Sequence, residues 1–65
     1  MSNDKHFEDG RARLKRIYEY QKKGQIQDPN RAASLANSVI NNIRNTNGEK
    51  AVKEVERELR SQKLM

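Results

Sequence analysis

The 65-residue chain has no cysteine and no tryptophan, a single histidine, one phenylalanine and two tyrosines. Without cysteine no disulfide can staple the fold, and one histidine does not make a structural zinc site. Hydrophobic residues make up only 32% of the composition. A chain this short buries about 60% of the surface that its unfolded form exposes. The core must therefore be small, and we expect either a homodimer that completes it or a very regular monomeric bundle.

Long apolar runs are missing as well. No stretch approaches the length of a signal-peptide core or a membrane span, so we expect a cytoplasmic protein without a membrane partner. The glycines stand apart at Gly10, Gly24 and Gly48, so no glycine-rich phosphate loop exists. His6 lies near the N-terminus, and the serines show no motif that would indicate a nucleophile. The sequence therefore predicts a protein that is not an enzyme, binds no cofactor or metal and takes no small-molecule substrate.

Apolar residues recur at helical spacing in three segments, and no segment alternates as a strand would. The helices are expected at residues 5–23, 29–45 and 48–63. Residues 1–4 are polar and predict a loose N-terminal tail. The sequence thus predicts an all-α fold, in which residues 1–65 form a single small domain built as a three-helix bundle.

Residues with strong positional preferences mark where these helices begin and end. Gly24 follows two lysines and is typical of a helix C-terminus. Asp28 is a good N-cap, and Pro29 fits the first position of the second helix. An Asn-Gly turn separates the second and third helices. Thr46 or Asn47 is therefore expected to cap the third helix.

Positive charge is concentrated in the first helix. The chain carries a net charge of +5, and the segment Arg11 to Lys23 holds six of its fourteen basic residues and both tyrosines. Helical spacing directs Leu14, Ile17 and Tyr18 to the core, which leaves Tyr20 as the aromatic residue free for a partner. We expect phosphate or acidic-partner contacts from the basic residues, and stacking or hydrogen bonding from Tyr20. The predicted contact residues are Arg11, Arg13, Lys15, Arg16, Tyr20, Lys22 and Lys23.

Two classes of function fit this pattern. The first is a regulatory binding protein that contacts DNA or another nucleic acid through its basic first helix, because neutralised phosphates release counterions. The alternative is a protein-binding regulator, such as a phage- or plasmid-type inhibitor or adaptor, that docks on an acidic protein surface. A helix-turn-helix fits poorly, since the third helix carries both signs of charge. The asparagine-rich side of the second helix is either neutral filler or a polar contact surface.

Overall fold

The computed structural model describes residues 2–65, with side chains from residue 4 onward. These residues form three α-helices, which are α1 (Ser2–Lys22), α2 (Pro29–Asn47) and α3 (Glu49–Ser61). No strand occurs in this described part of the chain. The predicted all-α three-helix bundle is confirmed.

Helix α1 begins earlier than predicted, whereas α2 begins at the predicted residue. Helix α1 already includes residues 2–4, which were expected in a loose tail, and residue 1 lies outside the described residues. Asp4 in the first turn favours this longer helix, because a carboxylate stabilises the positive end of the helix dipole. Helix α2 begins as predicted, at Pro29. The Asp28 carboxylate accepts a hydrogen bond from the Asn30 backbone N–H at 3.0 Å.

A single residue, Gly48, joins α2 to α3. Its φ of 94° and ψ of 173° are essentially accessible to glycine alone. Its N–H donates to the Arg44 carbonyl at 3.0 Å and ends α2. Thr46 and Asn47 therefore lie inside α2, and the prediction that one of them caps α3 is wrong. Helix α3 instead begins at Glu49, after Gly48 at the N-cap position, and has no side-chain cap.

Charged side chains brace this turn from outside. The Arg44 Nε donates to the Glu49 carboxylate at 2.9 Å, across Gly48. This hydrogen bond lowers the pKa of Glu49 below its usual value, because it favours the charged carboxylate. Arg44 also donates to the Asn41 side-chain carbonyl at 3.1 Å. One arginine thus links the last turns of α2 to the first turn of α3.

Helices α1 and α2 run antiparallel and approach closely at one point. His6, near the start of α1, places its Nδ1 3.3 Å from the Asn47 Oδ1 at the end of α2. One turn further along α1, a Cβ at Gly10 would lie 2.7 Å from the Ile43 Cγ1. Glycine costs about 1 kcal/mol relative to alanine inside a helix, so its position here is explained by this close approach.

All three helices contribute to one buried cluster. Its members are Leu14, Ala36, Ile43, Val52, Val55 and Leu59. Leu59 of α3 is completely buried, and Leu14 of α1 is 1% exposed. Leu14 is buried while Ile17 and Tyr18 are half-buried and pack against the cluster, so the predicted core face of α1 is confirmed. None of the helices in the described residues is both long and apolar enough to cross a membrane.

Candidate functional site: the groove between α1 and α2

The predicted contact residues on α1 fall into two rows, because residues three or four positions apart are neighbours on a helix surface. One row faces α3, and we call it the α3-side row; its members are the predicted contact residues Arg11, Lys15 and Lys22, together with the core-facing Tyr18. The other row faces α2, and we call it the groove-side row; its members are Arg13, Arg16 and Tyr20. Lys23 belongs to neither row, since it is exposed in the turn that follows the helix.

Arg11 in the α3-side row is engaged by the protein itself. Its Nη2 lies 2.7 Å from the Glu8 Oε2, and its Nη1 lies 3.3 Å from the Glu58 Oε2 of α3. The same guanidinium stands 5.9 Å from the ring centroid of Phe7. This arginine therefore crosses the α1–α3 seam, with carboxylates on both sides of it.

Other members of this row also meet α3 or the segment after it. Burial raises the pKa of Tyr18, and the nearby charge of Glu56 raises it further, because both disfavour the phenolate. The Lys22 Nζ donates to the Lys63 carbonyl at 3.4 Å. The α3-side row is thus largely occupied by contacts within the chain.

The groove-side row borders an open groove of about 410 Å³ between α1 and α2. The groove is lined by Arg13, Arg16, Ile17, Tyr20, Ile26, Leu35, Ser38, Val39 and Asn42. The lining contains two guanidinium groups, and it contains no carboxylate among the residues that the structure describes. Both arginines are exposed. The groove therefore combines positive charge with an apolar floor.

Exposed apolar surface is concentrated at this groove. Of the large hydrophobic residues that are exposed in residues 4–65, two lie here, Tyr20 at 43% and Leu35 at 40%, and the third is Met65 at the C-terminus. Ile17 and Val39 form the floor between them, and both are half-buried. Apolar surface gathered in one concave place and bordered by polar groups is typical of an interaction site.

The two ends of the groove differ chemically. At one end, Arg13 and Asn42 also line a smaller adjoining cleft, together with His6 and Asp9. Since α1 and α2 are antiparallel, the other end lies near Tyr20, with Leu35 and Ile26. One end is therefore polar, with Arg13 near the carboxylate of Asp9, and the other is apolar and aromatic.

His6 lies beside the groove, and its imidazole contacts side chains at the end of α2. Its Nδ1 contacts the Asn47 side chain, and its Nε2 lies 3.4 Å from the Thr46 hydroxyl. Among residues 4–65, no group of three or more histidine, cysteine or acidic side chains is placed to hold a metal ion. The imidazole thus pairs with hydroxyl and amide groups near the end of α2.

The structure separates the seven predicted contact residues. It brings Arg13, Arg16 and Tyr20 together in one groove, while Arg11, Lys15 and Lys22 lie on the other flank of α1. The sequence prediction did not include the apolar residues on the opposite side of the groove, which are Ile26, Leu35 and Val39. Ser38 and Asn42 belong to the asparagine-rich side of α2 that was considered as a polar contact surface. A usable signal was present in α2: Leu35, Ser38 and Asn42 share one helical row at the edge of the apolar stripe.

Comparisons of this chain with protein-family models, with curated proteins and with solved structures found no match.

Proposed function

We propose that this protein is a non-enzymatic, cytoplasmic regulatory binding protein that docks on an acidic surface of a partner protein. One observation carries the proposal, which is the groove that joins Arg13 and Arg16 to an apolar floor. Phosphate groups need the cations but gain little from an exposed leucine side chain, whereas Tyr20 suits a nucleic acid or a protein partner. A protein surface uses both the cations and the apolar side chains, because apolar area supplies affinity and opposite charge supplies orientation and association rate.

The experiment uses the charge of the groove-side row. Wild-type protein and the double variant Arg13→Glu with Arg16→Glu are immobilised and exposed to soluble extract of the producing cells, with and without nuclease. Arg57→Glu is a control for charge reversal at a different place, since Arg57 is exposed on α3, outside the groove. Circular dichroism confirms that each variant is folded.

We expect wild type and Arg57→Glu to retain the same acidic protein after nuclease treatment. The double variant should lose it, because two repulsive charges replace two attractive ones. The retained protein, once purified, should bind wild type directly. Equal retention by the double variant would contradict the proposal.

Nucleic acid is the second candidate, and the exposed basic side chains of Arg13, Arg16 and Lys23 favour it together with the net charge of +5. Binding to duplex DNA or RNA would weaken steeply as salt rises. Loss of two phosphate contacts in Arg13→Ala with Arg16→Ala would lower the slope of log affinity against log salt by about two. Leu35→Ala would leave this binding unchanged, whereas it should weaken a protein partner. The effect of Leu35→Ala on binding therefore distinguishes the two candidate functions.

A further inference from the structure

The length and sides of the groove restrict what can occupy it. From Arg13 to Tyr20 on α1, and from Leu35 to Asn42 on α2, the groove follows eight residues of each helix, a rise of about 10 Å from the first to the last. Its walls are two antiparallel helices, so it has the shape of the depression into which a further helix of a bundle packs. A groove of this length accommodates about two turns of such a helix.

The backbone chemistry of the walls disfavours strand addition. A β-strand obtains affinity by adding its backbone hydrogen bonds to the edge of a sheet. Residues 2–65 contain no strand, and the backbone groups of α1 and α2 in this region are already paired within the helices. A helix satisfies its own backbone and needs only side-chain contacts, which is what the groove offers.

The arrangement of charge selects the composition of that helix. The partner needs apolar side chains over Ile26 and Leu35 at one end of the groove. It needs carboxylates within reach of Arg13 and Arg16 towards the other end. Resting on the function proposed above, we propose that the groove binds one amphipathic α-helix of the partner protein, with apolar residues at i, i+3 or i+4 and i+7 and with acidic residues beside them.

A second copy of this chain does not meet these requirements in a symmetric pairing. If two grooves faced each other, each would present Arg13 and Arg16 and no carboxylate, so neither copy would supply the opposite charge. The proposal therefore assigns the acidic residues to another protein. The homodimer expected from the sequence stays a prediction, and sedimentation equilibrium of the isolated chain tests it.

The test uses displayed random peptides as the probe. A library of peptides of roughly 16 residues, long enough for about 24 Å of helix, is selected for binding to the full-length wild-type chain. Selected peptides are synthesised, and their affinities are measured for wild type, Leu35→Ala and the double variant Arg13→Glu with Arg16→Glu. Met65→Ala is the matched control for exposed apolar surface, and Arg57→Glu is the control for charge.

We expect the selected sequences to share apolar residues at helical spacing and an excess of aspartate and glutamate. Their helicity by circular dichroism should rise on binding, and a proline placed in the middle of the peptide should abolish binding. Leu35→Ala and the double variant should each weaken binding by about tenfold or more, and the two controls by less than about twofold.

The remaining outcomes overturn different statements. Acidic peptides that need Arg13 and Arg16 but tolerate the proline would overturn the helix and leave the proposed function standing. Peptides that are insensitive to all groove substitutions would overturn both. A library that yields no binder, with a partner still retained from extract by the groove, would overturn the single-helix occupant alone. Duplex DNA that displaces every selected peptide at equal phosphate and carboxylate charge would identify nucleic acid as the occupant.

Discussion

The two rows on α1 carry the same kinds of side chain but have different surroundings. In the α3-side row, Arg11 is held between Glu8 and Glu58, and Lys22 donates to a carbonyl after α3. In the groove-side row, Arg13 and Arg16 are exposed beside an apolar floor. The neighbouring helices explain the difference, because α3 contains four glutamates and α2 contains no acidic residue. Counting basic residues therefore overstates a binding surface when one neighbouring helix neutralises part of it.

The largest expected loss of stability comes from a core residue that lies beneath both rows. Leu14 lies between them and is almost completely buried. Leu14→Ala should lower the free energy of unfolding by about 2–5 kcal/mol, because it removes apolar contacts and leaves a cavity. Leu14→Met, which keeps most of the volume, should cost less than about 1.5 kcal/mol. Urea unfolding followed by circular dichroism measures both, and equal effects would contradict the packing described for this core.

A smaller loss of stability is expected where α1 and α2 are in close contact, at Gly10. Gly10→Ala gains about 1 kcal/mol of helix propensity but forces a Cβ against Ile43, and such overpacking costs about 1–3 kcal/mol. We expect a net loss of about 1 kcal/mol, which should shrink in the Ile43→Ala background, where both contacting atoms are removed. The control Ala12→Gly, at an exposed position of the same helix, reports the propensity alone. A net gain from Gly10→Ala would show that α1 and α2 are not in close contact there.

The end of α3 offers a stabilising change next to the α3-side row. Lys63 adopts a left-handed φ of 60°, while the N–H of Leu64 donates to the Leu59 carbonyl at 2.9 Å. Lys63→Gly should raise the free energy of unfolding by about 0.5–1 kcal/mol, since it removes the steric cost of that conformation. Gln62→Gly, at a φ of −88°, should give no such gain. Thermal unfolding of the two variants compares them directly, and a loss of stability for Lys63→Gly would count against this cap.

The smallest expected changes in stability come from single arginines in the two rows. Arg11→Gln breaks the ion pair with Glu58, in which the two side chains are 36% and 38% exposed. It should therefore lower the free energy of unfolding by at most about 1 kcal/mol. A double-mutant cycle with Glu58→Gln should give a coupling that decreases in about 1 M salt. Arg16→Gln should change stability by less than about 0.5 kcal/mol. Equal losses for Arg11→Gln and Arg16→Gln would remove the distinction between the rows.

Much of the fold follows from local signals in the sequence. Apolar spacing predicts the three helices, and Asp28 with Pro29 places the start of α2 because capping chemistry acts over a few residues. The ends of helices are harder, since Gly48 reached a conformation that let α2 continue through Asn47. Lys63, which ends α3, is not a residue type that predicts a left-handed conformation.

The candidate site was only half predictable. Helical spacing groups Arg13, Arg16 and Tyr20, because neighbours on one helix are set by its period. The contribution of Leu35 depends on how α2 is rotated against α1, and that rotation follows from the packing of Ile43 against Gly10. A contact between helices of this kind is not encoded in the spacing of either helix alone.

The central claim is that the groove-side row binds a partner and the α3-side row does not. The most direct measurement is the dissociation constant of the nuclease-resistant partner for two variants, determined by calorimetry at physiological salt. We predict that Arg13→Gln with Arg16→Gln weakens binding by about tenfold or more, and that Arg11→Gln weakens it by less than about twofold. Equal weakening by both variants, or a larger effect of Arg11→Gln, would contradict the account.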